Sequence, residues 1–316
     1  MSSSAPWTAT KGVAEAPGKV IISGEHFVVH GATALSAAIE RKVRVEASRA
    51  PALKVESSIR SPVQLAPVKK LVESLYKARD RQPSVNIAIT SDIAEGSGLG
   101  SSAATMVATT AAIAVLEEWA VDQAFLIQAA ETGEKLVHGN PSGIDATTSA
   151  MGGVLTFKKG QPPRALELQS SVRLLVAYSG QRRDSGRLIR KVGEMKDTYP
   201  SLFASLCDSA TIVSNLCARA LAKGDLPLLG SLMTYNHAVL ARAGASNDKL
   251  DRLVDLCLRS DCLGAKLTGA GGGGSVVAVP PQDPQRAEDC ANKLKRSGFG
   301  AFFTTLPAEG VRSWRE

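Results

Sequence analysis

Aromatic residues are scarce in this chain, at 4% of 316. The 37 basic residues outnumber the 30 acidic ones, for a formal charge of +7, but they are scattered along the chain rather than striped. Few rings and no basic stripe argue against a nucleic-acid partner, and a basic balance fits an acidic small-molecule ligand equally well. Cysteine is sparse too: Cys207, Cys217, Cys257, Cys262 and Cys290 are odd in number, lie in the C-terminal half and show neither CxxC nor Cys/His zinc spacing. That excludes a disulfide framework and a zinc site, leaving reduced thiols. No apolar run approaches the roughly 18–20 residues of a membrane span. The opening MSSSAPWTATKGVAEA has neither a charged n-region nor an apolar h-region. A soluble, cytoplasmic protein without a membrane partner is expected. There is no internal repeat and no low-complexity tract, and the length suits one large or two ordinary domains.

What is present alternates between two periodicities. VIISG, VRVEA and SVNIAIT are short β-branched runs bounded by turn residues. Helical patterns cover Pro67 to Ala78, Ser102 to Trp119 and Val121 to Val137. GGVLTF and VRLLVAYS predict strands on either side of KKGQPPRALELQ, a candidate domain junction. Helices follow at Asp184 to Met195, Ser201 to Ala222, Leu226 to Ala241 and Asn247 to Ser260; then AKLT, a glycine run, SVVAVP, a helix from Asp283 to Ser297 and AFFTTL. Strands and helices mix without a regular βαβ rhythm, so an α+β fold in two lobes is expected.

Two glycine-rich loops raise the question of a nucleotide. Gly98, Gly100 and Ala103 fit G-x-G-x-x-A, but the acidic pair Glu117 and Glu118 falls inside the same predicted helix rather than at the end of a second strand. Gly269, Gly271 and Gly274 run into a strand-like segment where that fingerprint needs a helix. Neither loop contains G-x-x-x-x-G-K-[ST]. Both standard fingerprints are absent, yet the physics of an anion site remains: a helix N-terminus presents unpaired amides, and glycines let the backbone approach a phosphate closely. Ser101 or Ser102 could offer a hydroxyl to Mg²⁺, or serve as an ordinary N-cap.

Other segments hold polar residues that a core does not need. APGKVIISGEHFVVHG carries Lys19, Glu25 and His26; ETGEKLVHGNPSGIDATTSAMGG carries Glu134 and Asp145; SGQRRDSGRLI carries Arg182, Arg183 and Arg187. Taken with GSGLGSSAATM and KLTGAGGGGSV, the first of these resembles the three motifs of the GHMP kinases, in the expected order and across almost the whole chain. GEHxVVxG and HGNPSGID make the resemblance closest to the mevalonate kinase branch.

The resemblance implies a two-lobed α+β GHMP kinase fold. Residues 1–170 would form an N-terminal lobe with a left-handed βαβ crossover, and residues 171–316 a ferredoxin-like C-terminal lobe. It implies ATP-dependent, Mg²⁺-assisted phosphorylation of the 5-hydroxyl of mevalonate in isoprenoid biosynthesis, with both substrates in the cleft between the lobes. Gly96, Ser97, Gly98, Leu99, Gly100, Ser101, Ser102 and Ala103 match the phosphate-wrapping loop. Asp145 matches the catalytic aspartate and Lys19 the active-site lysine; both also match substrate contacts, as do Glu25, His26, Thr268, Gly269 and Ala270. Ser102 and Glu134 match the magnesium ligands. The chain departs from the family at Ala94, where proline is usual, and at Thr105, where animal enzymes tend to carry tyrosine; it is compact, like the short archaeal form. The arginines at 182, 183 and 187 fit either anion contacts or a solvated turn. Oligomeric state is left open, with a homodimer among the expectations. Competing readings are another GHMP kinase, a phosphomevalonate kinase or one of different regiospecificity among them, and a non-catalytic ligand sensor on this fold; the intact Lys19, Glu134 and Asp145 speak against the sensor.

Overall fold

The computed structural model describes residues 10–57, 62–138, 142–181 and 185–316. Two sheets organise the chain. The first is built from β1 (Lys11–Ser23), β2 (Thr33–Arg49), β3 (Lys54–Ser57), β4 (Val85–Ser91), β5 (Val154–Lys158), β6 (Arg164–Ala165) and, at the far end of the chain, β11 (Arg312–Arg315). Its main path runs β11-β1-β2-β4-β3, with β5 on β2 and β6 on β5. All pairings are antiparallel except β3 with β4, which are parallel and connected through α1 (Pro62–Lys77) in a βαβ unit. The second sheet holds β7 (Val172–Tyr178), β8 (Gly264–Thr268), β9 (Ser275–Val279) and β10 (Gly300–Leu306) in the order β10-β7-β9-β8. Numbered within this sheet the order is 4-1-3-2, fully antiparallel, which is the ferredoxin-like arrangement.

Helices fill the faces. α2 (Ser101–Leu116) has 13 of its 16 residues buried, as expected of a helix apolar all round. It packs so closely on β1 that a Cβ at Gly12 would stand 2.0 Å from the Ala112 carbonyl oxygen. α3 (Gln123–His138) and α4 (Ile144–Met151) complete that layer; α5 (Ser185–Thr198), α6 (Pro200–Lys223), α7 (Leu226–Arg242) and α8 (Asp248–Leu258) fill the β7–β8 connection, and α9 (Pro284–Arg296) the β9–β10 connection.

Several expectations change. Pro67 lies inside α1 rather than at its start. β3, α4 and β11 form where no element was expected, and the candidate domain junction contains β6. Among the described residues α6 is long and apolar enough to cross a membrane, where no such stretch was expected. It is nonetheless anchored in this fold: Phe203, Val213, Cys217 and Leu221 are buried, and Ser214 Oγ donates to the Thr33 carbonyl at 2.8 Å.

Candidate active site

The site starts from an irregularity in β1. Pro17 has no N–H to give to the ladder, and the β1–β2 register shifts between Pro17 and Lys19 and again between Ile21 and Ser23. Between those shifts Lys19 N donates to the Leu99 carbonyl at 2.8 Å, which ties β1 to the 95–100 loop. Only glycine fits beside this contact, because a Cβ at Gly18 would lie 2.6 Å from the same oxygen. The Lys19 side chain is buried to 1% exposure; its Nζ stands 3.0 Å from Asp145 Oδ1 and 3.3 Å from the Gly98 carbonyl oxygen.

Asp145 occupies the first turn of α4, whose N-cap, Gly143, supplies no side-chain bond. A carboxylate there is favoured by the helix dipole. α4 is itself pinned to the sheet: Ser149 Oγ donates to the Pro17 carbonyl at 2.7 Å, and the Ser36 and Thr148 hydroxyls meet at 2.6 Å. Ser149 is one turn after Asp145 and Pro17 two residues before Lys19, so one short bond fixes the spacing of the ion pair. Asp145 keeps 21% of its side chain exposed, against 1% for Lys19.

The 95–100 loop takes positive φ at Gly96, Gly98 and Gly100 and delivers the chain to α2, which has no side-chain cap. Uncapped amides and the positive end of the dipole therefore meet the loop. Within the predicted set the side chains of Ser97 and Leu99 face inward: Ser97 Oγ donates to the Ala94 carbonyl at 2.6 Å, and both residues are buried. Ser101 and Ser102 are half-buried at the helix start. Glu134 is buried on α3. Its neighbour Gly133 packs on Met106, where a Cβ would meet the sulfur at 2.8 Å, and Met106 is one turn beyond Ser102. Gly133 and Met106 thus mark where α3 and α2 meet, one residue before Glu134 and one turn after Ser102. Among the described residues no three His, Cys, Asp or Glu side chains converge as a metal cluster.

The glycine run closes over the loop from the other lobe. Ser275 Oγ donates to the Ser97 carbonyl at 2.9 Å, and a Cβ at Gly274 would lie 2.8 Å from that oxygen. Gly271 lies against the Ala245 carbonyl, 1.9 Å from where its Cβ would be. Thr268 Oγ1 accepts from Ile21 N at 2.7 Å, joining β8 to β1. His26, at φ 57, has Nε2 2.8 Å from the Ala270 carbonyl oxygen. Burial pushes its pKa down, and a neutral ring facing a carbonyl must donate from Nε2, leaving Nδ1 as an acceptor.

Glu25, expected in the lining, is held by buried partners. It is 2% exposed and ion-paired with Lys266, and its other oxygen accepts from Asn236 Nδ2 at 3.2 Å. Lys266 was not singled out in the sequence, although a lone lysine inside the apolar strand GAKLT was the available signal. Arg182 and Arg183 lie outside the described residues, as does the side chain of Arg187.

Comparison with known proteins bears on this geometry. A mevalonate kinase from Aeropyrum pernix is 33% identical over 317 residues, covering 95% of this chain and 97% of its own. A mevalonate kinase from Archaeoglobus fulgidus is also 33% identical, over 95% and 99%. The chain belongs to the mevalonate kinase family. Consistently, residues 66–153 match the GHMP kinases N terminal domain and residues 217–300 the GHMP kinases C terminal domain. The crystal structure of Leishmania major mevalonate kinase in complex with R-mevalonate superposes with a TM-score of 0.84 at 28% identity, covering 94% of this chain and 96% of that one. The fold is shared more widely: the Streptococcus pneumoniae phosphomevalonate kinase superposes at 0.74 with 16% identity over 93% and 99%. This member of the mevalonate kinase family thus has the two-lobed α+β fold of the GHMP kinases.

Proposed function

We propose that this chain transfers the γ-phosphoryl group of ATP to the 5-hydroxyl of mevalonate. The observation that carries the reading is the Lys19–Asp145 pair, 3.0 Å apart, beside an uncapped helix start and a glycine loop. Phosphoryl transfer needs alignment and charge neutralisation more than covalent chemistry. Residues 96–103 would wrap the phosphates with main-chain amides, and residues 271–274 would close over them from the second lobe. Asp145 would accept the proton of the alcohol. Lys19, buried 3.0 Å from it, would stabilise charge on the attacking oxygen or the moving phosphoryl group.

A buried carboxylate and a half-buried hydroxyl near the α2–α3 contact suit a hard cation that keeps several waters. Ser102 and Glu134 would hold Mg²⁺, which when bound neutralises charge on the polyphosphate. His26, Thr268, Gly269 and Ala270 would border the mevalonate together with Lys19 and Asp145, and Glu25 would support that wall from beneath. The lobes would divide at residue 170, with β11 returned to the N-terminal sheet. The reading takes the protein as cytoplasmic, without a membrane or nucleic-acid partner, and as a candidate homodimer.

The test is ADP release with Mg·ATP against mevalonate, phosphomevalonate, homoserine and galactose, with the product read by phosphorus NMR. Turnover confined to mevalonate and yielding the 5-phosphate is the expected result. Phosphorylation of another substrate or another hydroxyl, or no turnover at all, would overturn it.

A further inference from the structure

The polar groups sealed between the lobes do more than fill space. Lys266, in the middle of β8, is wholly buried. Its ammonium donates to a Glu25 carboxylate oxygen, to the Ile21 carbonyl at 3.1 Å and to the Leu267 carbonyl. Three donors meet three acceptors, so its hydrogen-bonding capacity is filled. Burial pulls its pKa down while Glu25 opposes that shift. Two residues along β8, Thr268 Oγ1 accepts from Ile21 N at 2.7 Å and lies 3.2 Å from the Ile21 carbonyl oxygen. Side chains of β8 therefore hold both backbone groups of Ile21.

Ile21 is two residues from Lys19, within the stretch of β1 bounded by the two register shifts, where the strand ladder is interrupted on both sides. A seam of apolar side chains would hold the lobes together at lower desolvation cost than an ion pair. What an ion pair adds is directional: it specifies one register of β1 against β8. Lys19 is also close enough for its charge to be felt at Lys266, and the Glu25 carboxylate balances the second ammonium.

We infer that Lys266 and Glu25 are positioning residues: their buried pair fixes the segment of β1 carrying Lys19 against β8 and the glycine turn that follows. Its kinetic consequence rests on the transfer reaction proposed above; its geometry does not. Glu25 then acts through Lys266 and the backbone rather than by touching substrate.

Three full-length variants test this. Glu25→Gln keeps size and removes charge, Lys266→Met removes the ammonium, and the double variant removes both charges of the pair. Each is assayed for kcat and for KM with mevalonate and with ATP, and the Lys19 Nζ resonance is followed by NMR in lysine-labelled protein. The expected result for Glu25→Gln is a loss in kcat of about ten-fold or more with both KM values within about three-fold, together with a displaced Lys19 Nζ signal. The double variant should lose no more than the worse single one, as befits two residues acting as a unit. A rise in KM for mevalonate at unchanged kcat would make Glu25 a substrate contact and overturn the inference. Lower melting temperatures with unchanged kcat and an unmoved Lys19 signal would overturn it as well, leaving a merely structural pair. If Lys266→Met does not fold, Glu25→Gln and the double variant give the same readouts. Should the unmodified chain turn over no mevalonate, the proposed reaction fails by itself, and the Lys19 signal still decides the positioning role.

Discussion

The Asp145 carboxyl is partly exposed and 3.0 Å from the buried Lys19 Nζ, so replacing it by an amide should be felt in the chemical step. Asp145→Asn is expected to lower kcat by ~10²–10⁴-fold and to keep the KM for ATP within about three-fold, as measured by steady-state kinetics; a near-normal kcat would remove Asp145 from the role of base. Ser102→Ala should raise the Mg²⁺ concentration that gives half-maximal rate, and an unchanged titration would move the ligand to Ser101 or to water. Histidines set a third expectation. Burial holds the pKa values of His26 and His237 below the ordinary 6.5. His237 also accepts from Leu267 N at Nδ1, 3.4 Å away. As the pH falls below 6.5 the unfolded chain takes up protons that the folded chain refuses, so stability declines through the window between the unfolded and folded pKa values. The melting temperature should therefore be flat in these groups above pH 7 and drop on acidification towards pH 5; a rise over that interval would contradict neutral buried rings. The motifs pointed to Lys19 and Asp145, which the fold brings together. They did not reveal that Glu25 turns toward Lys266 and Ser97 toward Ala94, because a motif marks a place along the chain and not the direction of a side chain.

Elements with a continuous or periodic apolar pattern of their own were legible: α2, α6, α9 and the strands β7 to β10 fall close to their expected spans. The failures share a cause, which is dependence on distant partners. α4 contains two threonines that favour other conformations; burial of Ile144, Ala146 and Ala150 and the bond from Ser149 to Pro17 hold it helical. β3 is four residues long and gains its identity from β4 alone. For the glycine run the sequence announced an unusual backbone, and the packing supplies its reason. Gly271 combines φ +75 with a Cβ position 1.9 Å from the Ala245 carbonyl oxygen. Gly271→Ala should therefore reduce stability by about 2 kcal/mol or more, through overpacking and positive φ together. Gly274→Ala meets Ser97 in the opposite lobe, with its Cβ 2.8 Å from the carbonyl oxygen, so its signature should be a raised KM for ATP. Denaturant titration and nucleotide kinetics on the two variants separate these effects. Equal behaviour of both would mean that the run acts as one rigid turn.

At the scale of the whole molecule, the chain ends where it began. After β10 it leaves the second sheet and returns to the first as β11, pairing Arg312–Arg315 with Gly12–Glu15 of β1. The backbones of Lys11 and Glu316 exchange bonds of 2.7 and 2.9 Å. Arg44 meets Glu316 at 3.0 Å, and its guanidinium lies 5.3 Å from the centre of the Trp314 ring. This closure was invisible in the sequence, since RSWR is short and polar and its partner is some 300 residues away. It covers one edge of β1 over residues 12–15, whereas Lys19 lies beyond the register shift at Pro17. Edge and site are thus on the same strand but separated by a break in its ladder. Removing residues 312–316 should uncover that edge, lower the melting temperature and increase self-association, because an unpaired strand edge is a template for other chains. It should leave kcat and KM for the folded protein unchanged at temperatures well below melting. Loss of turnover without loss of stability would show that the break does not insulate Lys19, and that the terminal strand sets the position of Lys19 through β1 itself.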